Sequence, residues 1–253
     1  MPPVRELATR VGITFVLLAA LALALASAKD DWDFEPAFRH RSLYLRGLGM
    51  TAAATGVAYV VGLVVGIGVA LARLSRSIAV RHLGDLYVEL IRGTPFLAQL
   101  FIAYFGIAPL IGVDNKFFVG TLALGVFAAA YIGEIFRAGI ESVERGQFEA
   151  ARSLGLSRGQ TLRHVIFPQA FKRMIPPLTG ELIALTKESS LLFAIGLGEM
   201  MYAARSVAAA TYSPFEAYLV VAAMYLTLTI PLSFFARRLE RRMGRSSRLG
   251  VHI

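Results

Sequence analysis

The sequence predicts an all-α protein, a polytopic helical bundle in a membrane. Three observations carry this. Apolar residues make up 56% of the 253-residue chain and the mean hydropathy is +0.61, a membrane composition rather than that of a soluble domain. They fall in uninterrupted runs of about 20 residues, the length a helix needs to cross the hydrocarbon core. Most of the 26 Lys and Arg stand between and after those runs, as they do in cytoplasmic loops. The net charge of +9 is therefore read as surface facing anionic lipid, with no nucleic-acid partner expected. The absence of cysteine excludes disulfides, a thiol nucleophile and a Cys-ligated metal. No metal site and no cofactor is expected.

Taken in order, the apolar run 11–28 has the minimum spanning length. It ends Ala26-Ser27-Ala28 after a basic start, which also fits a signal-peptide cleavage site. We expect a retained extra helix, because a multi-span protein needs no cleaved signal. A mixed-charge loop follows, in which Trp32 and Phe34 suit a membrane interface. The next span is 43–71; Gly56, Gly62, Gly66 and Gly68 give it small faces, and Gly62-x-x-x-Gly66 permits close helix approach. Arg73, Arg76 and Arg81 mark its cytoplasmic end.

Residues 83–110 read as a partly polar entry and an apolar run broken at Pro109, with a further break implied by Gly93 and Pro95. Such a break frees backbone groups to line a cavity, and places Thr94 and Gln99 beside it. Spans at 117–140, 178–197 and 215–236 complete about six. Residues 171–177 are read as re-entering the membrane, and 198–214 as an external, partly helical loop. Lys29, Arg39, Arg41, Arg46, Lys116 and Arg205 are then external, Arg92, Arg137 and Lys187 lie within spans, and the other basic residues are cytoplasmic, as are both termini. Arg39, Arg41 and Arg46 fit least well and are expected on an amphipathic external helix. The basic tail 244–253 is cytoplasmic.

Ionisable residues within spans are costly and so are functional candidates. The densest polar group is Thr186-Lys187-Glu188-Ser189-Ser190. Glu181 and Glu188 share a helix face over two turns, and Lys187 lies some way round. A zwitterionic solute needs an acceptor for its ammonium and a donor for its carboxylate, and this stretch offers both. The competing reading is that Lys187 and a carboxylate only neutralise each other. Glu89 with Arg92, and Glu134 with Arg137, are expected as i,i+3 structural pairs. No nucleotide-binding P-loop is present, and His40, His82, His164 and His252 fall in loops or tails, so the chain is not itself expected to be an enzyme.

The longest polar interval, 147–168, reads as two short helices joined at a glycine. Phe148, Ala151 and Leu154 recur on one face of the first. Gly155 suits the left-handed residue that ends it. Ser157 with Gln160 is a capping box for the second, and Pro168 ends or kinks it. Glu149-Ala150-Ala151, then Gly155 after three intervening residues, then Val165-Ile166-Phe167-Pro168 after nine more, resemble the EAA loop of bacterial ABC-importer permeases. The usual ending there is Ile-x-Leu-Pro, so Val165 and Phe167 depart slightly. Tyr87 through Gln99, Ala130-Tyr131 with Glu134 and Arg137, and Lys187-Glu188-Ser189-Ser190-Leu191 are similar to the polar-amino-acid branch. Gly180-Glu181 replaces a frequent Asn-Gln, and Lys187-Glu188-Ser189-Ser190 a frequent Lys-Asp-Thr-Ser.

The resemblance implies a permease domain at 43–243, with 1–42 an extra helix and external loop outside it. It implies that the loop 146–168 couples to a separate ABC ATP-binding subunit through Gln147, Glu149, Ala150, Ala151, Leu154 and Gly155. It also implies an extracytoplasmic solute-binding protein, a second permease subunit, identical or paralogous, and a location in the bacterial inner membrane. Glu181, Lys187, Glu188, Ser189, Thr94 and Gln99 are the candidate amino-acid contacts. An ion-coupled secondary carrier of amino acids using Glu181, Lys187 and Glu188 is the alternative, and it leaves the hairpin unexplained.

Overall fold

The structure, a computed structural model, describes residues 32–248, so the apolar run 11–28 lies outside the described residues. In chain order the helices are α1 (Glu35–Arg39), α2 (Arg41–Arg73), α3 (Ile78–Gly93), α4 (Phe96–Leu110), α5 (Lys116–Glu141), α6 (Arg145–Ser153), α7 (Arg158–Ile195), α8 (Met200–Thr211) and α9 (Pro214–Arg248). No strand occurs among the described residues. By length and apolarity α2, α5 and α9 can each cross a membrane alone. The pairs α3–α4 and α7–α8 meet the same test only together, bent by 103° and 49°. The described residues therefore hold three single spans, or five if each bent pair is one. Arg41 and Arg46 belong to the start of α2, and only Arg39 lies on the short α1, paired with Glu35 at 2.7 Å.

The break between α3 and α4 falls where Gly93 and Pro95 place it. Thr94 is extended (φ −124°, ψ 145°), because a residue before proline is pushed out of the helical region. Two other prolines behave differently from the sequence reading. Pro109 does not interrupt α4, which widens into a π turn at Ile102–Ile107 and runs on to Leu110. Pro168 does not end its helix either, since a π turn at Leu162–Ile166 precedes it. The wider turn relieves the clash that a proline ring makes with the carbonyl one turn earlier. The second arm of the polar hairpin is thus no short helix but the first turns of α7. Pro176 and Pro177 also lie inside α7, so 171–177 is continuous with the stretch that follows it.

The inner core joins α2, α4, α5 and α7 through Ala58, Leu100, Leu124, Ile132, Met174, Leu185 and Leu192. Helix α5 is central, with 56% of its apolar window buried, against 33% for α2 and 6% for α9. An outer cluster of Ala37, Tyr44, Met200, Val207, Ala217 and Val221 ties α1 and the start of α2 to α8 and α9. Residues 35–42 thus pack with the bundle, and α9 continues unbroken past residue 243.

Helices α2 and α5 meet backbone to backbone. A Cβ on Gly66 would stand 3.0 Å from Ile132 Cβ and 3.1 Å from the Ala129 carbonyl oxygen. One on Gly62 would stand 3.1 Å from Ala128 Cβ. From the other side, Gly125 receives Val61, and Gly133 receives Val69. The Gly62–Gly66 spacing is thus used as the sequence suggests, whereas Gly56 and Gly68 face open space. At the cytoplasmic end an ionic network binds three helices. Arg73 of α2 holds Asp85 of α3 at 2.7 Å and also Glu134 of α5, which in turn pairs with Arg137; Arg137 also reaches Glu141. Gly84 leaves room for it, since a Cβ there would lie 2.7 Å from Arg73 Cγ.

Two stability tests follow from this packing. Gly66→Leu is expected to destabilise the protein by about 1–3 kcal/mol, the usual cost of forcing side-chain volume into a filled contact, whereas Gly56→Ala should be neutral or slightly stabilising. Glu134→Gln, which leaves Arg73 and Arg137 without their shared carboxylate, should cost about 2 kcal/mol. That is less than a fully buried pair because the groups remain partly exposed. Asp85→Asn, at a half-exposed position, should cost under about 1 kcal/mol. Thermal unfolding in detergent reads all four; a Gly66→Leu protein as stable as wild type would refute the close approach.

Candidate functional site

The cytoplasmic hairpin consists of α6, a turn at 154–157 and the start of α7. Its geometry is set by its ends. Gly155 has φ +79°, a conformation that costs a side-chain-bearing residue energy. Its N–H donates to the Arg152 carbonyl at 3.0 Å and the next N–H, of Leu156, to the Ala151 carbonyl at 3.2 Å. This is the two-bond helix stop that a left-handed glycine permits. The capping box is present: Ser157 Oγ accepts from the Gln160 N–H at 3.3 Å, and Gln160 Oε1 accepts from the Ser157 N–H at 2.9 Å.

Ala151 is buried and Phe148 packs against the inner core, so one face of α6 holds the hairpin to the bundle. Gln169 Nε2 reaches Gln147 Oε1 at 3.3 Å, and the Arg173 guanidinium donates to the Ser142 carbonyl. Leu154 does not share that face. It is the residue at which the helix stops, and it is 82% exposed. Gln147, Glu149, Ala150 and Gly155 are exposed as well. A rigid hairpin therefore presents these residues outward and keeps Ala151 inward.

The second candidate region is the membrane stretch of α7. Glu181 and Glu188 are half-buried two turns apart, and Lys187 is exposed. Lys187 faces a cleft of about 470 Å³ lined also by Ser190, Met201, Tyr218 and Tyr225; neither carboxylate lines it. Among the described residues none of the three charges forms an ion pair or hydrogen bond, so the mutual neutralisation of Lys187 is not formed. Ser189 is fully buried, and its hydroxyl donates to the Thr186 carbonyl at 2.8 Å.

Thr94 and Gln99 meet at the break between α3 and α4. Gln99 Nε2 donates to the Ile91 carbonyl at 2.8 Å, to Thr94 Oγ1 at 2.8 Å and to the Thr94 carbonyl at 3.1 Å. The amide thus satisfies carbonyls that the lost helical turn would have bonded. The expected Glu89–Arg92 pair is absent: Arg92 instead lies over the Tyr131 ring, 5.2 Å from its centre, a cation–π contact with the neighbouring helix. Glu134 and Arg137 do pair.

Sequence reasoning missed Glu199. It is fully buried, caps α8 by accepting from the N–H groups of Met201 (2.8 Å) and Tyr202 (2.7 Å), and accepts from the Tyr225 hydroxyl of α9 at 3.1 Å. The adjacent Met200 N–H donates to Thr51 of α2 at 3.2 Å. An acidic residue at the start of an apolar run is the available signal, but it falls within 198–214, whose sequence suggests an external loop.

Residues 62–245 match the family described as the binding-protein-dependent transport system inner membrane component. The glutamine ABC transporter permease protein GlnM of Bacillus subtilis, a probable assignment by its own description, is 41% identical over 210 residues, 83% of this chain and 97% of that one. The arginine transport system permease protein ArtQ of Bacillus subtilis is 37% identical over 212 residues, again 83% of this chain and 97% of that one. Among solved structures, a crystal structure of an amino acid ABC transporter with histidines superposes with a TM-score of 0.79 at 36% identity, covering 84% of this chain and all of that one. With the exposed, doubly capped hairpin and the apolar helices, these matches place the chain in the family of binding-protein-dependent transport system inner membrane components, as a permease subunit of an ABC transporter.

Proposed function

We propose that this chain is one half of the membrane pathway of an ATP-driven importer of polar amino acids. Two such subunits, identical or paralogous, enclose the route. ATP-binding subunits grip the hairpin through Gln147, Glu149, Ala150, Leu154 and Gly155, with Ala151 as its inward anchor. A solute-binding protein outside the membrane delivers the amino acid. ATP-driven closure of the partner subunits moves the hairpin, and α7, continuous with it, carries that movement into the membrane as a shift between two states. The observation that supports this most is that continuity: the π turn before Pro168 leaves one helix running from the hairpin to Ile195. A shorter, separate hairpin could not transmit displacement so directly.

The charges of α7 are the proposed solute contacts. Glu181 and Glu188 suit an ammonium or guanidinium group, and Lys187, in the cleft it faces, suits a carboxylate; Ser189, fully buried and bonded to the Thr186 carbonyl, supports the helix there instead of reaching solute; Thr94 and Gln99 border the route at the break they stabilise. Three ionisable groups in a membrane helix, without an ion pair or hydrogen bond among the described residues, call for water or solute. The ion-coupled carrier gives the exposed hairpin no use, and the relatives named above are ABC transporter or transport-system permeases.

Two substitutions test the proposal. Gly155→Val should insert and fold but lose most solute-stimulated ATP hydrolysis, because a β-branched residue at positive φ costs about 1–2 kcal/mol and reshapes the turn; Gly155→Asn, which tolerates that conformation, should retain more. Full stimulation in the valine variant would remove the coupling role. Glu181→Gln should change the ratio of cationic to neutral amino-acid uptake, with assembly and basal ATP hydrolysis intact. An unchanged ratio with reduced expression would make Glu181 a structural residue.

A further inference from the structure

A cleft of about 710 Å³ opens between the α2–α3 turn and the hairpin. Four arginines from three segments line it: Arg76 from the turn, Arg145 and Arg152 from α6, and Arg158, the first residue of α7. Glu149 is the one carboxylate in the lining, and Phe148 contributes an apolar wall. Among the described residues none of the four guanidiniums has an ion pair or a hydrogen bond. Arg73, three residues before Arg76, is by contrast held by two carboxylates. Like charges gathered in one concavity repel each other, so the cluster is unfavourable without an anion to hold. Planar guanidinium forks match the oxygens of a phosphate, which they can bond in pairs.

The level of the cleft points to the source of that phosphate. Arg76 lies between the end of the α2 span and Ile78, which is 74% exposed; Val80 (41%) and Leu83 (65%) extend the exposed apolar edge of α3. Basic residues beside exposed apolar ones, just past a span, stand where the headgroups of the cytoplasmic leaflet begin.

We propose that this cleft holds the phosphate of an anionic phospholipid, so that the hairpin rests on the leaflet as well as on its ATP-binding subunit. This goes beyond the importer reading and does not depend on which solute is carried. The test uses the intact transporter with its ATP-binding subunits, in nanodiscs of phosphatidylcholine with or without phosphatidylglycerol. Native mass spectrometry then measures the lipid retained. Wild type should retain phosphatidylglycerol in preference to phosphatidylcholine. Each of Arg76→Gln and Arg158→Gln should weaken that retention about fivefold, and the pair about 25-fold, from ~1 kcal/mol per basic residue near an anionic surface. Arg76→Lys with Arg158→Lys should keep most of it, and rising salt should reduce it.

Equal retention by wild type and the double glutamine variant would overturn the proposal. So would displacement of the lipid by inorganic phosphate or pyrophosphate, which would make this a site for a soluble phosphate. Loss of the ATP-binding subunit with lipid retained would overturn it too, since the arginines would then face that protein. A failed importer reading would show separately, as wild-type ATP hydrolysis that no amino acid stimulates.

Discussion

In lipid the hydrophobic effect does little to hold one apolar helix against another, so the bundle depends on how closely α2 and α5 can approach. Gly62 and Gly66 on one helix and Gly125 and Gly133 on the other remove the side chains that would keep the backbones apart. The same device recurs on the remaining sides of α5. Gly120 faces Leu192 and Gly139 faces Met174, both on α7. Helix α5 is thereby a hub with neighbours seated at fixed depths, which is why its buried share exceeds that of any other single span among the described residues. The depth at which α2 and α5 lock also sets the ends level, and brings Arg73 within reach of Glu134.

A second constraint comes from the peptide backbone, whose polar groups have no water to turn to within the bilayer. The chain departs from regular α-helix at four places, and at the sharpest of them the freed groups are recovered locally. Gln99 bonds the carbonyls left over at the 103° bend. The π turns ahead of Pro109 and Pro168 let the helix pass a residue that cannot donate. The 3-10 stretch Ser189–Ile195 ends at Gly196, in the left-handed conformation, before α8 begins under the cap of Glu199. These departures let α7 reach from the hairpin to the opposite end of the bundle while still bending into α8.

Charge is sorted along the same axis. At the cytoplasmic ends of α2, α3 and α5 it is consumed internally, in the network of Arg73, Asp85, Glu134, Arg137 and Glu141. At Glu181, Lys187 and Glu188 of α7, and at the four arginines around the cleft beside the hairpin, it is left without ion pairs or hydrogen bonds among the described residues. The first set fixes where the helices stand, and the others are free to meet something outside the chain.

Composition and basic-residue bias alone are enough to establish a helical membrane protein, because both follow from the solvent each segment must face. Local hydrogen-bonding chemistry made the hairpin legible: Gly155 and the Ser157–Gln160 box are short-range features, and both appear as read. The spacing of Gly62 and Gly66 likewise signalled close packing, since four residues bring small side chains onto one face. Other features needed the folded chain. Whether Pro109 and Pro168 break their helices depends on π turns that no local pattern announces. Arg92 is within i,i+3 reach of Glu89, yet it lies over Tyr131, because α5 offers an aromatic face at that height. Lys187 and the two α7 carboxylates share a short stretch of sequence, but helix rotation and the packing of α8 and α9 turn the lysine toward a cleft that neither carboxylate lines. Glu199 is a buried cap because α9 brings the Tyr225 hydroxyl to its carboxylate, while α2 brings Thr51 to the neighbouring Met200 N–H. Sequence determined which segments face lipid and how their ends are stopped. Tertiary packing decided which polar groups are satisfied within the chain, since those partners are distant along it and close only in space.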